Sequence, residues 1–179
     1  TASDYFMRGT VPRREEHLLS GSTPAYNVYE TKDGKYITIG CLEPHFWINL
    51  CKAIGKDEFI PMEFDESCFE KIFSEFRTIF LSKTRDEWFE LFKDKNIAVS
   101  KVLDMDELFM DPQVISRQMV IEVGKLDGEP IKQVGIGPKL SVSPGSVRSF
   151  GPTPGQDTDD IAKSMGYTSK QIAGFREKG

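Results

Sequence analysis

A chain of 179 residues and 20.3 kDa has the size of one domain, or of a small domain with an attached excursion, and can bury a core without disulfides. With 39% hydrophobic and 28% charged residues it is excluded from the disordered class, and no apolar run reaches the length of a bilayer span. A formal net charge of -5 and a sequence pI near 5.2 argue against nucleic-acid and anionic-membrane partners, which are drawn by a basic field.

Residues 1–24 carry few periodic apolar positions and contain Pro12, Gly21, Pro24 and the run Arg13-Arg14-Glu15-Glu16, so an extended segment is expected there. From Tyr26 the chain reads YNVYETKDGKYITIGCLEPHF up to Phe46. Asp33-Gly34 between two runs of β-forming residues predicts an antiparallel hairpin. Pro44 disfavours helical geometry at Glu43 but suits the first helical position. Phe46, Trp47, Leu50, Cys51 and Ile54 then recur at helical spacing, which puts Glu43 at a strand-to-helix corner.

A second helix is predicted from Phe69, Ile72, Phe73, Phe76, Ile79 and Phe80, and a third behind the capping box that begins at Thr84 and closes at Glu87. Asp111-Pro112 marks another helix start, and Asp127-Gly128 the turn of a second hairpin between 119–123 and 131–136. The stretch 137–155, rich in Pro, Gly and Ser, is expected to be structureless. Asp157 to Asp160 opens a helical tail in which Gly166 is a stop and Thr168 with Gln171 a further capping box. The division expected is an extended segment 1–24, a small α+β domain 25–136, a linker 137–156 and a C-terminal helical tail 157–179.

The three cysteines, Cys41, Cys51 and Cys68, lack CxxC spacing, and the residues TASDYFMRG at the start of the chain lack the basic-then-apolar order of a secretory signal. Reduced thiols in a cytoplasmic protein are expected. His17 and His45 have no cysteine or carboxylate at ligand spacing, so no metal site is predicted. No glycine-rich phosphate loop and no GxSxG elbow is present. Two readings of Glu43 stand side by side. A Glu that follows an apolar strand and precedes Pro sits at the sheet's end, where ligands bind, but a carboxylate there also complements the helix dipole with no further role.

Pro24-Ala25-Tyr26, Tyr29-Glu30-Thr31, Asp33-Gly34-Lys35-Tyr36, Gly40 and Glu43-Pro44-His45-Phe46 resemble successive landmarks of the alpha-methylacyl-CoA racemase branch of the family III CoA-transferase (CaiB/BaiF) superfamily. The likeness continues through Asp111-Pro112-Gln113-Val114 with Arg117, then through Gly151-Pro152 and Gly155-Gln156-Asp157-Thr158, and ends at Gly166-Tyr167. It implies an α+β fold: the small domain of this family, antiparallel hairpins packed with helices, plus a tail that returns to a large Rossmann-like domain. Two complete subunits of such enzymes interlock, so a homodimer is implied.

The resemblance further implies proton abstraction and return alpha to a CoA thioester, with acyl-CoA as substrate and no cofactor beyond the coenzyme A of that thioester. The two bases of the family's racemases, a His and an Asp, belong to an N-terminal part with no counterpart in these residues. Glu43 matches the Glu that partners the His, and Tyr26, Leu19 and Leu42 match positions lining the acyl side of the pocket. Each of those three could equally be a core residue of the hairpin and its approach. Three functions stay open: the C-terminal part of a racemase, incomplete without the N-terminal half; part of a CoA-transferase, whose aspartate nucleophile also lies outside these residues; or a non-catalytic folding or dimerisation module.

Overall fold

The structure, a computed structural model, describes residues 2–9, 11, 13 and 17–177. Pro12 and the Arg14-Glu15-Glu16 part of the charged run lie outside the described residues. The segment 1–24 is not extended throughout. Helix α1, Ala2–Arg8, opens it, because these residues contain no Gly or Pro and Gly9, at φ +69, ends the helix left-handed. A 3-10 turn at Leu18–Ser20 follows, capped by His17, whose Nδ1 accepts from the Leu19 amide at 3.4 Å.

Strands β1 (Tyr26–Glu30) and β2 (Tyr36–Gly40) form the predicted hairpin, with Tyr26 opposite Gly40 and Glu30 opposite Tyr36. Gly34, at φ +71, supplies the left-handed turn residue. Next come α2 (Pro44–Ala53), α3 (Phe69–Phe80), α4 (Arg85–Phe92) and a third strand, β3 (Val99–Lys101), which pairs antiparallel with β2. Two 3-10 stretches, Asp57–Met62 and Glu66–Cys68, join α2 to α3. Beyond lie α5 (Met105–Leu108), α6 (Pro112–Ser116), the hairpin of β4 (Val120–Leu126) and β5 (Glu129–Val134), and two tail helices, α7 (Thr158–Ser164) and α8 (Ser169–Glu177). The mixture of helices and antiparallel strands is the α+β class expected.

Strand period 2 sorts the first sheet into an inner and an outer face. Tyr29, Ile37 and Ile39 are buried on the inner face, and Tyr26, Val28 and Tyr36 are exposed on the other. The inner face meets an aromatic cluster: Tyr29 stacks on Phe80 at 4.8 Å between centroids, and Trp88 stacks on Phe92 at 5.3 Å. Both tryptophans bury their rings while satisfying their N–H groups, Trp47 Nε1 donating to Phe59 O at 3.0 Å and Trp88 Nε1 to Phe80 O at 2.8 Å. The first of these bonds fastens the Asp57–Met62 stretch to α2.

The chain falls into two compact units, Thr1–Leu103 and Asp104–Gly179. The second hairpin therefore groups with the C-terminal residues, whereas the sequence places it in a domain 25–136. The second unit has its own local logic. Asp127 and Gly128, at φ +52 and +89, make the tight turn between β4 and β5, and the register shifts between Glu122 and Gly124 as in a β-bulge. Residues 137–155 contain neither helix nor strand.

Candidate active site

The strand-to-helix corner is built by backbone chemistry. Glu43 has extended geometry, φ -84 and ψ 134, and is the N-cap residue of α2 with Pro44 directly inside the helix. Its carbonyl accepts from the Phe46 amide at 2.9 Å and the Trp47 amide at 3.2 Å. Its side chain makes no cap hydrogen bond and is exposed. A carboxylate is thereby presented at a helix N-terminus with its lone pairs uncommitted, where it is favoured by the dipole and open to a donor from outside.

Leu19 and Tyr26 come together. Both line a cavity of about 600 Å³ on the outer face of the sheet, with Gly21, Val28, Thr38 and Gly40, a size that suits a small organic ligand. One bond ties the turn that carries Leu19 to the strand that carries Tyr26, Asn27 Nδ2 donating to Gly21 O at 2.8 Å, and the chain between them turns at Thr23, whose carbonyl accepts from Tyr26 N at 3.2 Å. The Tyr26 ring lies over Gly40, where an added Cβ would touch it at 3.8 Å. Leu19 is 57% and Tyr26 37% exposed, so neither is a core residue of the hairpin. Leu42 differs: it is half-buried, packs on the core cluster and does not line the cavity.

Cys41 and Cys51 are fully buried, and burial pushes both thiols up to about 12. Thiolate is the nucleophilic form, so both are inert at neutral pH. His45 is exposed on α2 beside Phe46, 4.0 Å between ring centroids, and among the described residues no group of three or more His, Cys, Asp or Glu could hold a metal ion.

One group escapes sequence reasoning. Glu63 follows the Asp57–Met62 stretch, is 8% exposed, and its Oε1 has no hydrogen-bond partner. Burial, and then the charge of Glu43, hold its carboxyl above the usual range. No motif marks it, because the chain from Asp57 to Glu63 has neither helical nor strand periodicity.

Residues 1–158 match the sequence profile of CoA-transferase family III. Alpha-methylacyl-CoA racemase from Mus musculus is 27% identical over 161 residues, which are 89% of this chain and 41% of the mouse protein. L-carnitine CoA-transferase from Proteus mirabilis is 29% identical over 193 aligned positions, covering 98% of this chain and 46% of that protein. Among solved structures, a hypothetical protein from Mycobacterium tuberculosis superposes with a TM-score of 0.67 at 18% identity over 89% of this chain, and a CAIB/BAIF family protein from Brucella suis with 0.64 at 18% over 91%. The chain spans about two fifths of the length of these relatives. With its profile match running from the first residue through β1, the Glu43 corner and the second hairpin to the start of α7, the chain belongs to CoA-transferase family III.

Proposed function

We propose that this chain supplies the C-terminal part of an acyl-CoA racemase site, acting with an N-terminal half that carries the bases. The observation behind this reading is Glu43, an exposed carboxylate at a helix N-terminus that caps nothing. Its chemistry is that of an orienting group: a carboxylate accepting from one imidazole nitrogen fixes the tautomer and raises the basicity of the other. Proton abstraction alpha to a thioester then belongs to that imidazole, and Glu43 is not itself the proton acceptor. The acyl chain of the substrate would lie along the cavity of Leu19 and Tyr26, while Leu42 would contribute only through packing. By itself the chain is inactive, and in the complete protein two copies interlock.

The test is reconstitution with the N-terminal half, followed by exchange of the alpha proton of a 2-methylacyl-CoA in deuterated water. Glu43→Gln is expected to slow exchange by about tenfold or more, from general-base contributions of about 10²–10⁴. Unchanged exchange would sink the orienting role. The second reading, CoA transfer, draws on the Proteus mirabilis carnitine CoA-transferase, whose likeness extends over 98% of this chain. Acceptor-dependent CoA exchange without alpha-deuterium incorporation would put it first. Failure of the reconstituted protein in both assays would leave a folding or dimerisation module.

A further inference from the structure

Gly40 is a glycine that the fold itself does not require. It closes β2 without the left-handed backbone geometry that Gly34 supplies to the same hairpin. A Cβ built on it would meet only the Tyr26 ring, at 3.8 and 3.9 Å, and Ala98 O at 3.9 Å, all ordinary contacts. Gly135 is the contrast, since a Cβ there would come within 2.1 Å of Gln118 O. A strand glycine gives up side-chain packing and backbone entropy, and where it neither turns the chain nor relieves a clash, close approach of a ligand to the backbone is the remaining reason for it. Alternation aims the absent side chain outward. Ile37 and Ile39 are buried on the inner face, whereas Gly40, opposite Tyr26, lies on the outer face and lines the cavity of about 600 Å³.

The polar side chains around that floor are engaged within the chain. Asn27 Nδ2 donates to Gly21 O at 2.8 Å, and Asn27 Oδ1 accepts from the Val28 amide at 2.8 Å. The Ser20 hydroxyl donates to His17 O at 3.0 Å and the Thr38 hydroxyl to Ser100 O at 3.1 Å. A polar ligand would have to break one of these bonds to gain another, while Leu19, Tyr26 and Val28 offer it apolar surface. The cavity is thus suited to an apolar group. We propose that Gly40 is the specificity-determining residue of this cavity: the absent side chain leaves the floor open to the bulk of an apolar acyl group, and any side chain placed there is subtracted from the ligand's space. That the ligand is the acyl part of a CoA thioester rests on the function proposed above; that Gly40 limits the bulk of an apolar ligand does not.

The test titrates cyclohexanol, a neutral and bulky apolar probe, into the 179-residue chain and follows the ¹³C methyl resonances of Leu19 and Val28. Saturable shifts are expected. Gly40→Ala should weaken cyclohexanol by about tenfold, in line with the cost of one methylene in an apolar pocket, and Gly40→Val by more. The alanine variant introduces only ordinary contacts, so the test holds even where the valine variant does not fold. A glycine kept only for the packing of the Tyr26 ring predicts a shifted unfolding midpoint and unchanged cyclohexanol affinity; that result, or no saturable shift in the unsubstituted chain, overturns the proposal. In the protein reconstituted with its N-terminal half, Gly40→Ala should raise KM for alpha-proton exchange of a 2-methylacyl-CoA more than for propanoyl-CoA, with kcat little changed, and equal effects on the two thioesters would also overturn it. Absence of exchange in the unsubstituted protein removes the racemase reading while a weakened cyclohexanol affinity still supports Gly40, whereas an unmoved affinity removes Gly40 whatever the exchange shows.

Discussion

Asp33 shows how one side chain secures the hairpin that leads to the candidate site. Its Oδ1 accepts from the Thr31 hydroxyl at 2.6 Å and from the Arg85 amide at 3.1 Å, joining the turn to the first residue of α4. Those donors, the Thr31 hydroxyl foremost, favour the charged form and hold the Asp33 carboxyl below the usual range. A depressed native value means that the stabilisation is complete above the unfolded value, about 3.9, and is lost as pH falls through the native one. Asp33→Asn is therefore expected to lower stability at pH 7 by about 1 kcal/mol, a figure kept small because the residue is exposed and screened. Urea unfolding of both proteins from pH 7 to pH 2 checks it: the gap should close towards the acid end. A gap that stayed constant would assign the loss to geometry and not to charge.

At the scale of elements, the start of α4 is a closed chemical unit. The Thr84 hydroxyl accepts from the Glu87 amide at 3.2 Å, and Glu87 Oε2 accepts from the Thr84 amide at 2.8 Å. Thr84→Ala should cost about 1 kcal/mol, with Thr84→Ser restoring most of it; equal losses in the two variants, measured by denaturant unfolding, would exclude the cap as the cause. The same kind of local rule made most elements legible from sequence. Asp33-Gly34 and Asp127-Gly128 place both hairpins, Pro44 places α2, and Thr168 with Gln171 places the start of α8, where the Thr168 amide donates to Gln171 Oε1 at 3.0 Å. What sequence did not yield depends on distant partners. Strand β3 has three residues, and its pairing of Ile37 with Lys101 and Ile39 with Val99 exists only because β2 is already formed. The resemblance groups Leu19, Tyr26 and Leu42; Leu19 and Tyr26 line one cavity while Leu42 packs on the core cluster, a difference of face that local sequence does not reveal. Glu63 carries no local signal, and its character comes from what surrounds it after folding.

The whole molecule is uneven in how it is held together. Of the buried hydrophobic side chains among the described residues, all but Ile172 lie between Ala25 and Phe92, in the first unit. In the second, Leu140, Val142, Phe150, Met165 and Phe175 are all exposed, Val142 at 95%. Ordering a residue costs about 1–2 kcal/mol in backbone entropy, and a unit with one buried hydrophobic side chain has little burial to set against that. Its tail instead relies on contacts such as the Arg176–Asp159 ion pair at 2.6 Å and the edge-on Tyr167–Phe175 pair, of which an exposed ion pair contributes about 0–1 kcal/mol. Residues 1–103 expressed alone should therefore unfold cooperatively, with a midpoint within a few degrees of the main transition of the full chain. In the full chain, amide hydrogen exchange should show strong protection in β1, β2 and α3 and weak protection across 104–179. A 1–103 fragment without a cooperative transition, or equal protection in the two units, would show that the second unit is integral to the fold. If the chain does work beside an N-terminal half, adding that half should raise protection most in 104–179, because the backbone of the first unit is already held by its buried core while that of the second is not.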